Sequence, residues 1–350
     1  MTLFVPIYTI QSTNEYSTPH APTQIRLRAY PTGRVTDDIW LVSHDPLPAL
    51  QPGEIRVKIK HLSVDPGMRG WITPKRSYIA PVQPGEAMRA FGLGEVLETA
   101  SKYFKVGDHV TGFTGVQTEA LLDGRQMRKV DLSFAPARSY LSSAGMTAFT
   151  AYFGLLDIGK PKAGQTIVVS AAAGAVGSIV CQIAKIQGCR VIGIAGGPAK
   201  CGYLRNELGV DAAIDYKGEF VAEALKLAAP DGVDVYFDNV GGDILDAVLM
   251  QINRHARIVV CGGISQYTDI EHARGPANYL QIIAQSATMQ GFTMRDYLER
   301  IPEALVSLMT WQSNGKLKVR EHVLHGIDSF PKAFQMLFTG EKQGKLLIDL

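Results

Sequence analysis

The chain has 350 residues, enough for two domains with a core each. Its residues are 46% hydrophobic and 19% charged, an ordinary globular mix, and the formal charge of +2 gives no field for gripping nucleic acid or an anionic membrane. No apolar run approaches the roughly 20 residues that span a bilayer, so neither nucleic acid nor membrane is expected as a partner.

The first residues, MTLFVPIYTIQSTNEYSTPHAP, contain no Lys or Arg. They fit neither a secretory n-region nor an Arg-rich transit peptide, and residues 1–23 read as a short extension. The cysteines, Cys181, Cys189, Cys201 and Cys261, fall in the second half without CxxC spacing. That argues against a disulfide framework and for a reduced, cytoplasmic setting.

From residue 24 to 135 the texture is strand-like and rich in Gly and Pro. PGEIRVKIKHLSVD (52–65) opens with a turn and then alternates Ile55, Val57 and Ile59 with Arg56, Lys58 and Lys60. That is the period of a strand with one wet face. KVGDHVTGF (105–113) repeats the turn-then-strand pattern. Over 136–310 the period changes. The apolar strand TIVVS (166–170) precedes GAVGSIVCQIAKIQG, whose Val176, Ile179, Val180 and Ile183 form one helical stripe ended by Gly188. Strand RVIGIA, helix PAKCGYLRNELG, strand AAID, helix EFVAEALKLAA and strand VDVYFD follow. A helix near 243–252 and strand RIVVCGG complete the series. This alternation predicts an α/β fold with a doubly wound parallel sheet. In the tail, 311–350, one amphipathic helix and one strand are expected to return to the first domain.

SAAAGAVGS (170–178) lies between an apolar strand and an amphipathic helix. In the GxGxxG register, Ala172 takes the first glycine position, and Gly174 and Gly177 the second and third. Gly174 lets a backbone approach a pyrophosphate, Gly177 lets helix and strand pack closely, and the helix N-terminus faces the phosphates. The acid that holds an adenine ribose is expected about 20 residues later. There the chain reads Ala195-Gly196-Gly197, followed by Lys200, with Tyr216 after the third strand. An acid would repel a 2′-phosphate; a lysine attracts it, and NADP(H) is the expected cofactor. A solvated helix lysine is the alternative reading of Lys200.

FDNVGG (237–242) and CGGISQY (261–267) end successive strands, where ligands bind in such sheets. Asp-Asn and Gly-Gly are also plain turn formers. Tyr267 could donate a hydrogen bond to a developing oxyanion, or be an ordinary surface aromatic. The histidines are scattered, and His322 and His325 fall in an extended stretch that sends them to opposite faces. With no Cys cluster and no GxSxG elbow, neither a metal site nor a serine nucleophile is expected.

Taken together, LSVDPGMRGW (62–71), FKVGDHV (104–110), GMTAFTAYFGL (145–155), SAAAGAVGS, AGGPAK, IDYKG, YFDNVGG, CGGISQY and the final GK carry a resemblance. The chain resembles the zinc-independent medium-chain dehydrogenase/reductases of the prostaglandin reductase, 2-alkenal reductase and curcumin reductase group. The resemblance runs from about residue 24 to the C-terminus. It implies a GroES-like β-rich catalytic domain, built from both chain ends around a Rossmann domain, often in a homodimer. It implies NADPH contacts at Gly174, Ala175, Val176 and Gly177, at Lys200, Tyr216 and Asn239, and along Cys261, Gly262, Gly263, Ile264, Ser265, Gln266 and Tyr267. Phe292, Thr293 and Met294 are implied on the last strand, with Met146 and Thr150 near the nicotinamide. The group's Asn before the final GK transfers to Lys342. Its frequent pocket Tyr is replaced by Gly67. The zinc ligands of related enzymes are missing from HLSVDPG and FGLGE.

The activity implied is NADPH-dependent reduction of the C=C bond of an α,β-unsaturated aldehyde or ketone, with Tyr267 steadying the enolate. A quinone reductase, or a non-catalytic NADPH-binding protein of the same fold, shares the cofactor residues and stays open at this point.

Overall fold

The computed structural model describes residues 21–350, so the extension expected over 1–23 lies, as far as residue 20, outside the described residues. Two short strands, β1 (Gln24–Leu27) and β2 (Trp40–Ser43), form an antiparallel pair. Next come β3 (Glu54–Val64), the one-turn helix α1 (Met68–Trp71), β4 (Phe91–Thr99), β5 (His109–Phe113), β6 (Glu119–Asp123) and β7 (Arg128–Val130). In β3, Ile55, Val57 and Ile59 are buried and alternate with more accessible neighbours, as the sequence pattern requires. Past Ile59 the pairing with β4 shifts register, the alternation breaks, and Leu62, Ser63 and Val64 are all buried. A β-bulge of this kind re-aims the strand end.

The chain then enters the helical layer with α2 (Met146–Phe153). A parallel series follows: β8 (Thr166–Val169), α3 (Ala175–Ile186), β9 (Arg190–Ala195), α4 (Pro198–Asn206), β10 (Ala212–Asp215), α5 (Val221–Ala228), β11 (Val233–Asp238), α6 (Gly242–Leu249), β12 (Ile252–Val260), α7 (Leu280–Ala284) and β13 (Thr288–Gly291). The strands are ordered β10-β9-β8-β11-β12-β13 and all pair in parallel. This is the doubly wound arrangement, with its reversal of direction between β8 and β11. The central strands β8, β9 and β11 are mostly apolar and buried because both faces are covered. Ile167, Val169, Val235 and Phe237 pack on the α2–α3 side, and Val168, Tyr236 and Ile258 on the other.

After α8 (Ile301–Ser313), strand β14 (Glu321–His325), helix α9 (Phe330–Thr339) and strand β15 (Lys345–Asp349) join the first sheet. Its order is β14-β15-β3-β4-β5-β7, with β6 pairing β3. In α9 the apolar stripe Phe330, Ala333, Phe334 and Leu337 is buried, and Trp40 meets Phe330 and Phe334 edge-on at 5.1 and 5.4 Å. The two sheets meet through Leu93, Tyr140 and Leu347, against which Leu305 and Met309 of α8 pack.

Candidate cofactor and active site

The carboxyl ends of the parallel strands converge on one crevice. After β8 the chain turns through Ala171, held at a left-handed φ of 46°, and enters α3 at Gly174, which no side chain caps. A Cβ at Gly177 would lie 2.9 Å from the Cα of Ala172, so only glycine allows this approach of helix to strand. The α3 N-terminus therefore points its amides and partial positive charge into the crevice.

At the end of β9, Gly197 takes φ +96°, a conformation that favours glycine. Its N–H donates to Asp215 Oδ1 at 2.7 Å, and Lys217 N–H donates to the same oxygen at 3.0 Å. These amides, Gly197 first, hold the Asp215 carboxyl below the usual range. Tyr216 lies against Gly196, where a Cβ would meet its ring at 2.8 Å. The acid of this corner is thus occupied by the backbone. A small cavity beside it is lined by Ala173, Ala199, Lys200, Tyr203, Arg320, Gln343 and Gly344. Lys200 donates from Nζ to the Gly340 carbonyl at 2.6 Å, across to the other sheet's returning segment. Arg320 stacks over the Tyr203 ring at 4.1 Å and pairs with Glu207 at 2.5 Å. Arg320 was not singled out in the sequence, because nothing local links it to a strand end some hundred residues away.

At the switch point between β8 and β11, Asn239 donates from Nδ2 to the Ser170 carbonyl at 2.8 Å. Asp238, only 1% exposed, accepts at Oδ1 from Ser170 Oγ, Tyr236 Oη and the N–H groups of Val240 and Gly241. The FDNVGG turn is therefore built around a buried carboxylate, beyond its turn-forming composition. The neighbouring loop is tied to it: Cys261 and Gly262 donate to the Asp238 carbonyl at 2.9 and 3.1 Å. Ile264 N–H donates to Asn239, and Ser265 Oγ to the Val240 carbonyl at 2.6 Å. Gln266 accepts from Arg274 N–H. Burial pushes the Cys261 thiol up to about 12, which keeps it protonated and unreactive.

Tyr267 curls back over this loop, and its Oη accepts from Gly263 N–H at 3.3 Å. The hydroxyl proton has no acceptor among the described residues, and burial raises the hydroxyl above its ordinary range. It stays protonated and can donate. Across from it, Tyr78 Oη accepts from Trp71 Nε1 at 3.0 Å and lies 3.8 Å from where a Gly67 Cβ would sit. Arg295 reaches the Tyr78 carbonyl from the other sheet.

Other candidates have structural partners. Phe292 lies over Gly154, where a Cβ would meet its ring at 2.6 Å. Thr293 and Asp296 cap each other at the start of the Met294–Arg300 turn, and Met294 and Met146 pack on the main core. Thr150 Oγ1 donates within α2 to the Met146 carbonyl at 2.8 Å. Lys342, before β15, brings its ammonium to the glycine loop; a Cβ on Gly174 would sit 3.9 Å from Nζ. Lys345 is 1% exposed and bonds Ser63 Oγ and Asp65 Oδ1, each at 2.6 Å. Among the described residues, no three His, Cys, Asp or Glu side chains cluster to hold a metal. A separate surface concavity lies at the opposite end of β3, around Gln51, Tyr103 and Arg125, away from these groups. A dinucleotide fits the crevice: an uncapped helix N-terminus, a glycine approach, cations at one end and a free hydroxyl at the other.

Residues 23–130 match the family described as the N-terminal domain of oxidoreductase, and residues 175–311 match the family described as zinc-binding dehydrogenase. The YfmJ protein of Bacillus subtilis is 45% identical over 330 residues, covering 93% of this chain and 97% of its own. The NADPH-dependent curcumin reductase of Escherichia coli is 37% identical over 328 residues, covering 92% and 95%. The structure of CurA in complex with NADPH from Vibrio vulnificus superposes with a TM-score of 0.88 at 39% identity, covering 93% of this chain and 98% of that one. The chain belongs to the zinc-independent group of the medium-chain dehydrogenase/reductase family.

Proposed function

We infer that this chain is an NADPH-dependent oxidoreductase that reduces the C=C bond of α,β-unsaturated aldehydes or ketones. A hydride adds to the β-carbon, the π electrons move onto the carbonyl oxygen as an enolate, and a solvent proton completes the α-carbon. NADPH, when bound, supplies the hydride. The remaining work is positioning and charge stabilisation, which needs neither a nucleophile nor a metal. The α3 N-terminus from Gly174 to Gly177 takes the diphosphate, Lys200 with Arg320 nearby takes the 2′-phosphate, and Tyr216 lies along the adenosine. Asn239, the 261–267 loop, Phe292 to Met294, and Met146 with Thr150 wall the nicotinamide end.

The observation that carries this reading is Tyr267. Its side chain is half-buried, and its hydroxyl accepts one bond from Gly263 and keeps its own proton uncommitted. The likeness to the NADPH-dependent curcumin reductase supplies the cofactor and the substrate class. A test follows NADPH absorbance over a panel of enals, enones and quinones. Turnover of simple enals or enones is expected. Turnover of quinones alone would make it a quinone reductase, and binding of NADPH without any turnover would leave a binding protein.

The proposed division is a GroES-like catalytic unit, 24–135 with 311–350, around a Rossmann unit, 136–310. It draws support from β14 and β15 in the first sheet, and α8 carries the return crossing on to Ser313. A homodimer is also proposed. Strand β13 is an outer strand of its sheet, and Tyr279, Leu280 and Ile283 beside it are exposed. An exposed strand edge with apolar neighbours favours pairing with a second copy. A cytoplasmic setting is proposed from the cysteines, all of them free thiols. Among the described residues no helix is long and apolar enough to cross a membrane.

A further inference from the structure

One stretch of the first unit lies across the crevice from Tyr267 with little structure of its own. Between the buried Trp71 and the buried Val82, the chain carries Pro74, Lys75, Arg76, Ser77 and Tyr78 on the surface. Among the described residues, no N–H or carbonyl of residues 76–81 bonds to another backbone group. Side chains hold the stretch instead. Trp71 Nε1 donates to Tyr78 Oη at 3.0 Å, and Arg89 donates from Nη1 to the Ala80 carbonyl at 2.8 Å. Both of these donors belong to the stretch's own unit. A tie of another kind crosses the crevice: Arg295 donates from Nη1 to the Tyr78 carbonyl. Exposed segments with few backbone bonds open at low cost, so a single tie of this kind weighs heavily.

The two ends of that bond differ in stiffness. Arg295 stands on a fixed post, because Thr293 and Asp296 cap each other around it and the Phe292 ring lies against Gly154. Among the described residues its guanidinium has no carboxylate partner, whereas Arg300 in the same turn is paired with Asp157 and Glu303. Nothing else competes for the Arg295 guanidinium, and it can hold or release the carbonyl. At the other end the Tyr78 side chain is 48% exposed. Its charge is felt at the Tyr267 hydroxyl, though less than burial is, so the two rings face one space.

We propose that Arg295 is a positioning residue: by gripping the Tyr78 carbonyl it latches residues 74–80 over the enone as a lid. The proposal rests on the enone reading above and deepens it. Closure keeps bulk water from the reacting bond, and opening lets the ketone leave. The cofactor's phosphates belong at the far end of the crevice, so the latch acts on the substrate and leaves NADPH affinity alone. An exposed charge-assisted bond shifts the balance of closed and open forms by about tenfold.

Lys75 and Arg76 make the stretch its own reporter, because trypsin cleaves after both and reaches them in the open form. The experiment is limited trypsin digestion of the full chain, with cuts after residues 75 and 76 mapped by mass. It is run beside steady-state kinetics with NADPH and 3-penten-2-one. Arg295→Ala should be cut there about tenfold faster than wild type. The variant should show a raised KM for the enone and about tenfold lower kcat/KM, with an unchanged NADPH dissociation constant. Arg295→Lys, which can still donate to a carbonyl, should restore both readouts most of the way. Equal cutting of Arg295→Ala and wild type overturns the latch. Faster cutting with wild-type kcat/KM overturns the lid, since the stretch would then open without consequence for the substrate. Weakened NADPH binding in Arg295→Ala overturns the division of roles by placing Arg295 at the cofactor. Failure of wild type to reduce any enone would sink the enone reading, while the digestion would still show whether Arg295 holds the stretch.

Discussion

Tyr267 and Lys200 divide the work at the two ends of one ligand, and each can be removed without touching the other. Tyr267→Phe deletes a hydroxyl and little volume. It should lower kcat by as much as about 10²- to 10³-fold while NADPH affinity stays close to wild type, because one preformed oxyanion donor is lost. Burial keeps that hydroxyl protonated beyond its ordinary range, so the difference between variant and wild type should stay constant through neutral pH. A change confined to KM for the enone would assign Tyr267 to uniform binding. Lys200→Ala should weaken NADPH by roughly 10- to 150-fold, the worth of one charge-assisted contact, and leave NADH almost unchanged. Equal weakening of the two would trace the loss to the Lys200–Gly340 bond between the sheets. The lysine is legible because no acid competes with it at the end of β9; its position alone reads as a solvated helix residue. Asp238 could not be given its role, since one of its donors, Ser170, is 68 residues away in sequence.

At the scale of elements, the strands and helices of the parallel sheet were legible because each is encoded locally. Continuous apolar runs mark strands buried on both faces, and the stripe of α3 marks a helix. Strand β12 begins earlier than RIVVCGG suggests, at Ile252, because Arg254 and His255 are polar yet extend the strand outside the core. The partner of β3 was harder to read. Its pairing with β15 depends on residues across the whole chain, and the pattern of β3 itself changes at the bulge after Ile59. The approach of α3 to β8 yields a test at this scale. Gly177→Ala would set a methyl 2.9 Å from the Cα of Ala172 and 3.0 Å from the Ala171 carbonyl carbon, both backbone atoms that cannot step aside. The variant should lose about 1–3 kcal/mol in urea denaturation, as overpacked sites do, and bind NADPH less tightly. Wild-type values on both measurements would show that the loop accommodates a Cβ.

For the whole molecule, the exposed edge of β13 sets an assembly prediction. Ile283 is 73% exposed beside that edge, and Ile283→Asp adds charge where a second copy would pack. Light scattering should find dimers for wild type and monomers for the variant, with the variant's NADPH affinity retained. A monomeric wild type would dispose of the dimer.

The insertion of β15 beside β3 also has a consequence for biosynthesis. Leu346 to Asp349 pair with His61 to Val64, so the first sheet closes only after the entire parallel sheet has been translated. At roughly 5–20 residues per second, the upper part of β3 waits for tens of seconds on the ribosome without that neighbour. During this interval the nascent chain carries an open strand edge next to Leu62 and Val64, both wholly apolar and destined for the core. Such an edge is a template for wrong pairing. The enzyme's yield in the cell should therefore depend on chaperones that bind nascent chains, more than the stability of the finished molecule would suggest. Ribosome-bound fragments ending near residue 310 should be captured by such chaperones, and full-length chains released from them.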